Sequence, residues 1–265
     1  MTLENVPGIS GKAFAVLGAG QGIGRATVQA LAAAGARVAC VDRDEGLAQA
    51  VAGAVGGLAL SGDVTRRGDM ERMFQDAADW ADGCLGGVVD IVGIADVRAI
   101  ADMDDEGWNE QFDLTLRHAF LTVQIAPRFM PEGGALAFVS SMSSTRAVEN
   151  QTVYGASKAA LNQFVAGAAC ELGPKGIRVN AVSPGFVRTP RLVAALGDDF
   201  WAELNGYIPV GRPCEPVDIA GPLMFLCSDL AACISGQTLT VDGGTSTQAH
   251  MPKIPLKRKA MGATA

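Results

Sequence analysis

The chain has 265 residues, 49% of them hydrophobic, and a formal net charge of −7 at neutral pH. That length and apolar content allow a sizeable core, which excludes disorder over most of the chain and suits one α/β domain. The acidic balance argues against nucleic acid as a partner, because binding it needs basic patches that neutralise phosphates.

In chain order, residues 1–7 show no basic segment followed by an apolar core, and no apolar run reaches the roughly 18 residues that span a bilayer. The expectation is a soluble, cytoplasmic protein with no membrane partner. A strand is expected at 13–17, then helix 23–34, strand 37–42, helix 45–54, strand 57–61, helix 68–81, strand 88–94 and helix 106–129. Strand 135–140, helix 152–173, strand 178–183, helix 216–228 and strand 238–241 complete the series. The strands are apolar almost throughout, as strands buried on both faces must be. The alternation predicts an α/β fold: a single-domain, Rossmann-like, doubly wound parallel sheet of about seven strands with helices on both faces.

No linker or internal repeat divides residues 1–244, so one domain is expected there. The connection 186–213 is a candidate substrate lid, since long loops at the carboxyl ends of parallel strands grip substrates. Residues 245–265 form a polar tail with Lys253, Lys257, Arg258 and Lys259, expected to be a solvated end rather than a partner-binding arm. The six cysteines, Cys40, Cys84, Cys170, Cys214, Cys227 and Cys233, are scattered without a C-x-x-C pair. Neither a metal site nor a disulfide framework is expected from them.

Between the first strand and first helix lies Gly18-Ala19-Gly20-Gln21-Gly22-Ile23-Gly24. Glycines allow a tight turn and close backbone approach, and free amides at a helix N-terminus attract pyrophosphate. The spacing G-x-x-x-G-x-G differs from G-x-G-x-x-G, so the strand–turn–helix context carries the assignment. Asp42 ends the second strand, where a carboxylate accepts bonds from ribose hydroxyls and repels a 2′-phosphate. NAD is therefore the expected cofactor, although the adjacent Arg43 could hold a phosphate. Asp63, followed by Val64, is either an adenine contact or a helix N-cap.

Tyr154 and Lys158 stand at i and i+4 on one helix face, and Ser141 ends the strand before them. A nearby ammonium favours the phenolate, which brings a tyrosine of ordinary pKa near 10 toward the working range of an acid/base. The Ser141 hydroxyl can orient a substrate oxygen.

With these motifs the chain resembles the short-chain dehydrogenase/reductase family, in its single-domain branch. The resemblance rests on Gly18-x-x-x-Gly22-Ile23-Gly24, on Ser141 with Tyr154-x-x-x-Lys158, and on Asp63-Val64. It extends through Arg178-Val179-Asn180-Ala181-Val182-Ser183-Pro184-Gly185, Thr189, Ser235-Gly236-Gln237 and Val241-Asp242-Gly243-Gly244, covering about 11–244. It implies an NAD(H)-dependent oxidoreductase interconverting a secondary alcohol and a ketone, with Tyr154 as acid/base, Lys158 lowering its pKa and Ser141 holding the oxygen. By the same resemblance Lys158 binds the nicotinamide ribose, Val187 holds the carboxamide through its backbone, and Pro184, Gly185 and Thr189 line the cofactor. A homodimer or homotetramer is implied, with the helices carrying Thr115 and Tyr154 in the interface.

Two departures stand out. Gly93-Ile94-Ala95-Asp96 takes the place of the family's usual Asn-Asn-Ala-Gly after the fourth strand, with Asp96 expected to have a partner or solvent. Thr115 takes the place of the usual catalytic asparagine, which implies a retained but altered proton relay. His118 is expected at an interface or on the helix surface. The apolar residues Leu192, Val193, Leu196, Phe200, Trp201, Leu204, Tyr207 and Ile208 suit either lid packing or a hydrophobic cyclic or aromatic alcohol. Arg146 and Glu149 face either substrate or solvent. Two other functions stay open: a cofactor-binding regulatory subunit whose catalysis has decayed, and a reductase of carbon–carbon double bonds.

Overall fold

A computed structural model describes residues 6–131 and 133–248. The strands are β1 Ala13–Leu17, β2 Arg37–Asp42, β3 Leu58–Ser61, β4 Gly87–Asp90, β5 Gly134–Val139, β6 Ile177–Pro184 and β7 Thr238–Val241. They form one parallel seven-stranded sheet in the order β3-β2-β1-β4-β5-β6-β7. The helices are α1 Gly22–Ala33, α2 Glu45–Val55, α3 Arg67–Trp80, α4 Asp105–Phe112, α5 His118–Ile125, α6 Thr152–Leu172, α7 Pro190–Ala195, α8 Asp198–Asn205 and α9 Pro216–Cys227. This is the Rossmann-like architecture expected from the alternation of apolar runs.

Side chains along a strand alternate between faces, and here both faces are covered. Ala13, Ala15 and Leu17 of β1 pack with Met70, Phe74, Leu121, Phe138 and Leu161. Phe14 and Val16 face the other way, toward Val28, Leu31, Val51, Ile219 and Leu223. Burial on both sides explains why β1 has no polar position.

Two expected elements differ. Strand 88–94 stops at Asp90, because the Asp90 carboxylate accepts from Val92 N at 3.2 Å and turns the chain out of the sheet. Helix 106–129 is interrupted by a π-helical stretch at Asp113–Arg117 and ends in a 3-10 turn at Ala126–Phe129, where Pro127 has no N–H to continue the α-helical ladder. The connection 186–213 holds two helices. Pro190 opens α7 behind the Thr189 cap, and Asp198 and Asp199 sit in the first turn of α8, where carboxylates are favoured.

The Arg178-Val179-Asn180 motif is structural. Arg178 donates to the carbonyls of Leu226, Cys227 and Ser228, which end α9. Asn180 donates to Ile234 O and accepts from Gln237 N, fastening the segment that leads into β7. Replacing Arg178 with Ala leaves those helix-end carbonyls without their donor and is expected to lower stability by about 1–3 kcal/mol, read as a lower thermal midpoint.

Among the described residues, no helix is long and apolar enough to cross a membrane, and no group of three or more His, Cys, Asp or Glu could hold a metal ion. The tail residues Lys253, Lys257, Arg258 and Lys259 lie outside the described residues, as does His250.

Candidate active site

The order in which strands are added reverses between β1 and β4: β2 and β3 extend to one side of β1, and β4 begins the other half of the parallel sheet. The crevice beyond the strand ends at such a point is where α/β sheets bind ligands. Two cavities open there, of about 360 Å³ and about 310 Å³, sharing Ile23, Ile91, Gly93, Ile94, Thr189 and Arg191.

The glycine turn lies on the smaller cavity. Gly18 has φ +79, and its N–H and that of Ala19 both donate to Val41 O at 2.9 Å. A Cβ on Gly24 would lie 1.9 Å from Gly18 O, so only glycine lets α1 start this close to the turn. The N-cap residue Gln21 makes no side-chain cap bond, and the first turn of α1 carries no acidic residue. The first amides of α1 therefore suit a phosphate group. Asp42 accepts from Gly20 N at 2.8 Å and from Asp44 N at 3.1 Å, so it braces the turn while also lining the cavity. Asp63 accepts from Thr65 N at 2.9 Å and Thr65 Oγ1 at 2.7 Å; the N-cap of α3 is Arg66, so the N-cap alternative for Asp63 does not hold. Burial pushes the Asp63 carboxyl up, but the Thr65 bonds with Arg66 and Arg43 nearby hold it below its ordinary value.

The cavities gather most of the expected residues. Gly18, Gln21, Gly22, Asp42, Asp63 and Val64 line the smaller. Ser141, Tyr154, Lys158, Pro184, Gly185 and Val187 line the larger, while Ile23 and Thr189 line both. Thr189 also leans on the glycine turn: a Cβ on Gly22 would lie 3.1 Å from its Cγ2. Thr115 lines neither. It is fully buried in the π-helical stretch, and its hydroxyl donates to Gln111 O at 2.5 Å.

Lys158 is 1% exposed, donates to Val139 O at 2.8 Å and lies 5.9 Å from the Tyr154 ring centroid. Burial pushes its pKa down to about 8, and the Asp90 carboxylate opposes the drop. Burial raises the Tyr154 pKa, opposed by the Ser141 hydroxyl beside it. The Tyr154 phenol therefore stands above its ordinary value, not below it as the neighbouring ammonium alone would suggest.

The support for Ser141 was not foreseen from the sequence. Ser144 Oγ donates to Ser141 O at 2.6 Å, Asn162 Nδ2 donates to Ser144 Oγ at 2.9 Å, and Ser140 Oγ donates to Asn162 Oδ1 at 2.6 Å. Asn162 is four residues beyond Lys158, on the same face of α6, and that spacing was its available signal.

The remaining expected residues take varied places, and His118 departs from the expectation. The segment leaving β4 is Asp90-Ile91-Val92-Gly93, three residues before the stretch assigned to that place, and a Cβ on Gly93 would lie 2.7 Å from Lys158 Nζ. Asp96 is paired with Arg98, whose Nε donates at 2.8 Å, and its N–H donates to Gln111 at 2.7 Å. His118 is buried, 1% exposed, because its ring bonds Asp90 at 2.7 Å; it lies neither on the helix surface nor at an outer face. Arg146 donates to Ser246 O at 2.8 Å and Glu149 is exposed. Of the apolar residues in the 186–213 connection, Leu192 and Leu196 line the larger cavity, whereas Trp201, Leu204 and Ile208 form a small core of their own.

The fold and the glycine turn at the reversal point define a dinucleotide-binding α/β protein. The family model described as enoyl-(acyl carrier protein) reductase matches residues 18–246. L-rhamnose 1-dehydrogenase (NAD(P)(+)) of Azotobacter vinelandii is 37% identical over 246 residues, 88% of this chain and 96% of that protein. L-xylulose reductase of Bos taurus is 36% identical over 248 residues, 89% of this chain and 97% of that protein. A solved short-chain type dehydrogenase/reductase from Mycobacterium marinum matches with a TM-score of 0.83 and 33% identity, covering 89% of this chain and 96% of that one. The chain belongs to the short-chain dehydrogenase/reductase family, whose members use NAD or NADP.

Proposed function

We propose that the protein is an NAD(H)-dependent oxidoreductase that interconverts a secondary alcohol and a ketone. The observation that carries this reading is the convergence of Ser141, Tyr154 and Lys158 on one cavity that adjoins the glycine turn. Two relatives support it: their names describe a dehydrogenase and a reductase acting on sugar hydroxyl or carbonyl groups. A bound nicotinamide cofactor supplies the hydride acceptor or donor. Ser141 holds the substrate oxygen by hydrogen bonding, Tyr154 takes the hydroxyl proton at Oη or returns it, and Lys158 stabilises the phenolate. The preference for NAD rests on Asp42, whose charge lines the smaller cavity where a 2′-phosphate would be repelled.

The larger cavity is lined by Ile94, Val97, Met142, Val148 and Phe186, with Gln151 and Ser143 among its polar groups. That lining suits an apolar cyclic or aromatic alcohol better than a polyol. The assembly proposed is a homodimer or homotetramer, supported by Trp108 and Phe120, which are 46% and 39% exposed on α4 and α5. The description of the family model favours a second reading, reduction of a carbon–carbon double bond.

A screen of secondary alcohols with NAD and NADP, read by reduced-cofactor absorbance, tests the first reading. Turnover with NAD supports it, while equal or better turnover with NADP defeats the cofactor assignment. Saturation of an enone with its carbonyl left intact, seen by product analysis, would establish the second reading.

A further inference from the structure

Lys158 carries its charge in a place that opposes charge, so something must hold it there. The ammonium is 1% exposed and bonds one carbonyl, Val139 O at the end of β5. In the parallel register of β4 and β5, Asp90 pairs with Phe138, the residue before Val139. Adjacent strands lie about 4.8 Å apart, so the Asp90 carboxylate and the Lys158 ammonium end beside neighbouring rungs of the sheet. The chain leaving β4 then wraps the ammonium, with Gly93 so close that a Cβ would touch Nζ at 2.7 Å.

Asp90 is itself 1% exposed and fixed from three sides. His118 Nδ1 lies 2.7 Å from Oδ2, Thr122 Oγ1 donates to Oδ2 at 3.2 Å, and Val92 N donates to Oδ1 at 3.2 Å. An ionised carboxylate only accepts, so Nδ1 of His118 carries the shared hydrogen. Its Nε2 has no partner among the described residues, so Asp90 accounts for the ring's hydrogen bonding there. A buried carboxylate with this many donors and one cation nearby is paired as burial demands.

We propose that Asp90 and His118 are positioning residues for the reaction: Asp90 is the buried countercharge that keeps Lys158 cationic, and His118 is the donor that holds the Asp90 carboxylate in place. The catalytic consequence rests on the reading of Lys158 given above. Burial alone would drive the ammonium to lose its proton, and the Asp90 carboxylate counters that drift. The titratable side chains facing Lys158 are Tyr154 on its own helix and Asp90 on β4, with His118 of α5 bonded to the latter. Charged groups on the other elements packed against α6 are turned away. Asp105, Glu106, Glu110, Asp113 and Arg117 are exposed, and Arg178 is bound to the end of α9.

The test is Asp90→Asn in the full chain, with carbon-13 on lysine Cε and the Lys158 signal followed by NMR through a pH titration. Removing the countercharge destabilises the ammonium, so the midpoint is expected to fall by about one pH unit or more from its native value. In the same variant, alcohol oxidation near pH 9, above the native midpoint of about 8, is expected to fall about tenfold for each unit of that shift. A folded variant whose Lys158 midpoint is unmoved would overturn the proposal. A lowered midpoint with undiminished turnover would uphold the countercharge and place the error in the reading of Lys158 as the activating cation. Where Asp90→Asn is too unstable to titrate, Asp90→Asn combined with Lys158→Met is expected to be the more stable protein, because neither charge is left buried alone. A double variant no more stable than Asp90→Asn would overturn the proposal as well.

Discussion

Tyr154→Phe is expected to lower alcohol oxidation by about a thousandfold, within the range that a positioned acid/base contributes. The change removes one oxygen from a ring whose walls are otherwise kept, so the larger cavity retains its shape. Ser141 stays fixed through Ser144 and Asn162, and Lys158 stays bonded to Val139 O. Reduced-cofactor affinity, measured by fluorescence titration, is therefore expected to change by no more than about twofold, because Tyr154 does not line the cavity that holds the glycine turn and Asp42. A Phe variant that oxidises alcohols at the native rate would remove Tyr154 from the mechanism. Selective loss of binding with turnover preserved at saturation would recast it as a cofactor contact.

The second large effect is expected from Gly24→Ala. The added methyl meets Gly18 O at 1.9 Å, and both partners are backbone, so no side chain can swing away to relieve the clash. Either α1 moves off the turn or the turn moves off β1, where Gly18 N and Ala19 N are tied to Val41 O. Overpacking of this kind costs about 1–3 kcal/mol. The displaced amides are expected to weaken cofactor binding by at least tenfold, since each 1.4 kcal/mol of lost interaction is a factor of ten. Thermal denaturation with and without cofactor reads both: a lowered midpoint in the free protein and a smaller upward shift on adding NADH. An alanine variant with native affinity would show that the turn does not hold the cofactor.

The sheet was legible because strands buried on both faces are largely apolar, as β1 and β5 are throughout. Where the reading overran, chemistry interrupted the pattern. Ile91 and Val92 are as apolar as the strand before them, but Asp90 turns them out to line the crevice. The break at Asp113–Arg117 leaves the apolar period almost intact, so periodicity cannot reveal a π-helical stretch. Ser141, Tyr154 and Lys158 were legible because four residues on a helix and the end of a strand are short-range facts. The Asp90–His118 pair spans 28 residues and two elements, and nothing in either local sequence announces the other partner. Trp201, Leu204 and Ile208 were ambiguous for a related reason: an amphipathic face looks the same whether it meets substrate or its own neighbours.

Thr189 stands where three structures meet: it caps α7, rests against the glycine turn at Gly22, and forms wall for both cavities. The two cavities thus share a partition instead of being independent chambers. If cofactor settles that partition into the shape substrate prefers, substrate must tighten cofactor by the same factor, since binding free energies are reciprocal. Affinities measured for either ligand alone will then understate how the pair binds together.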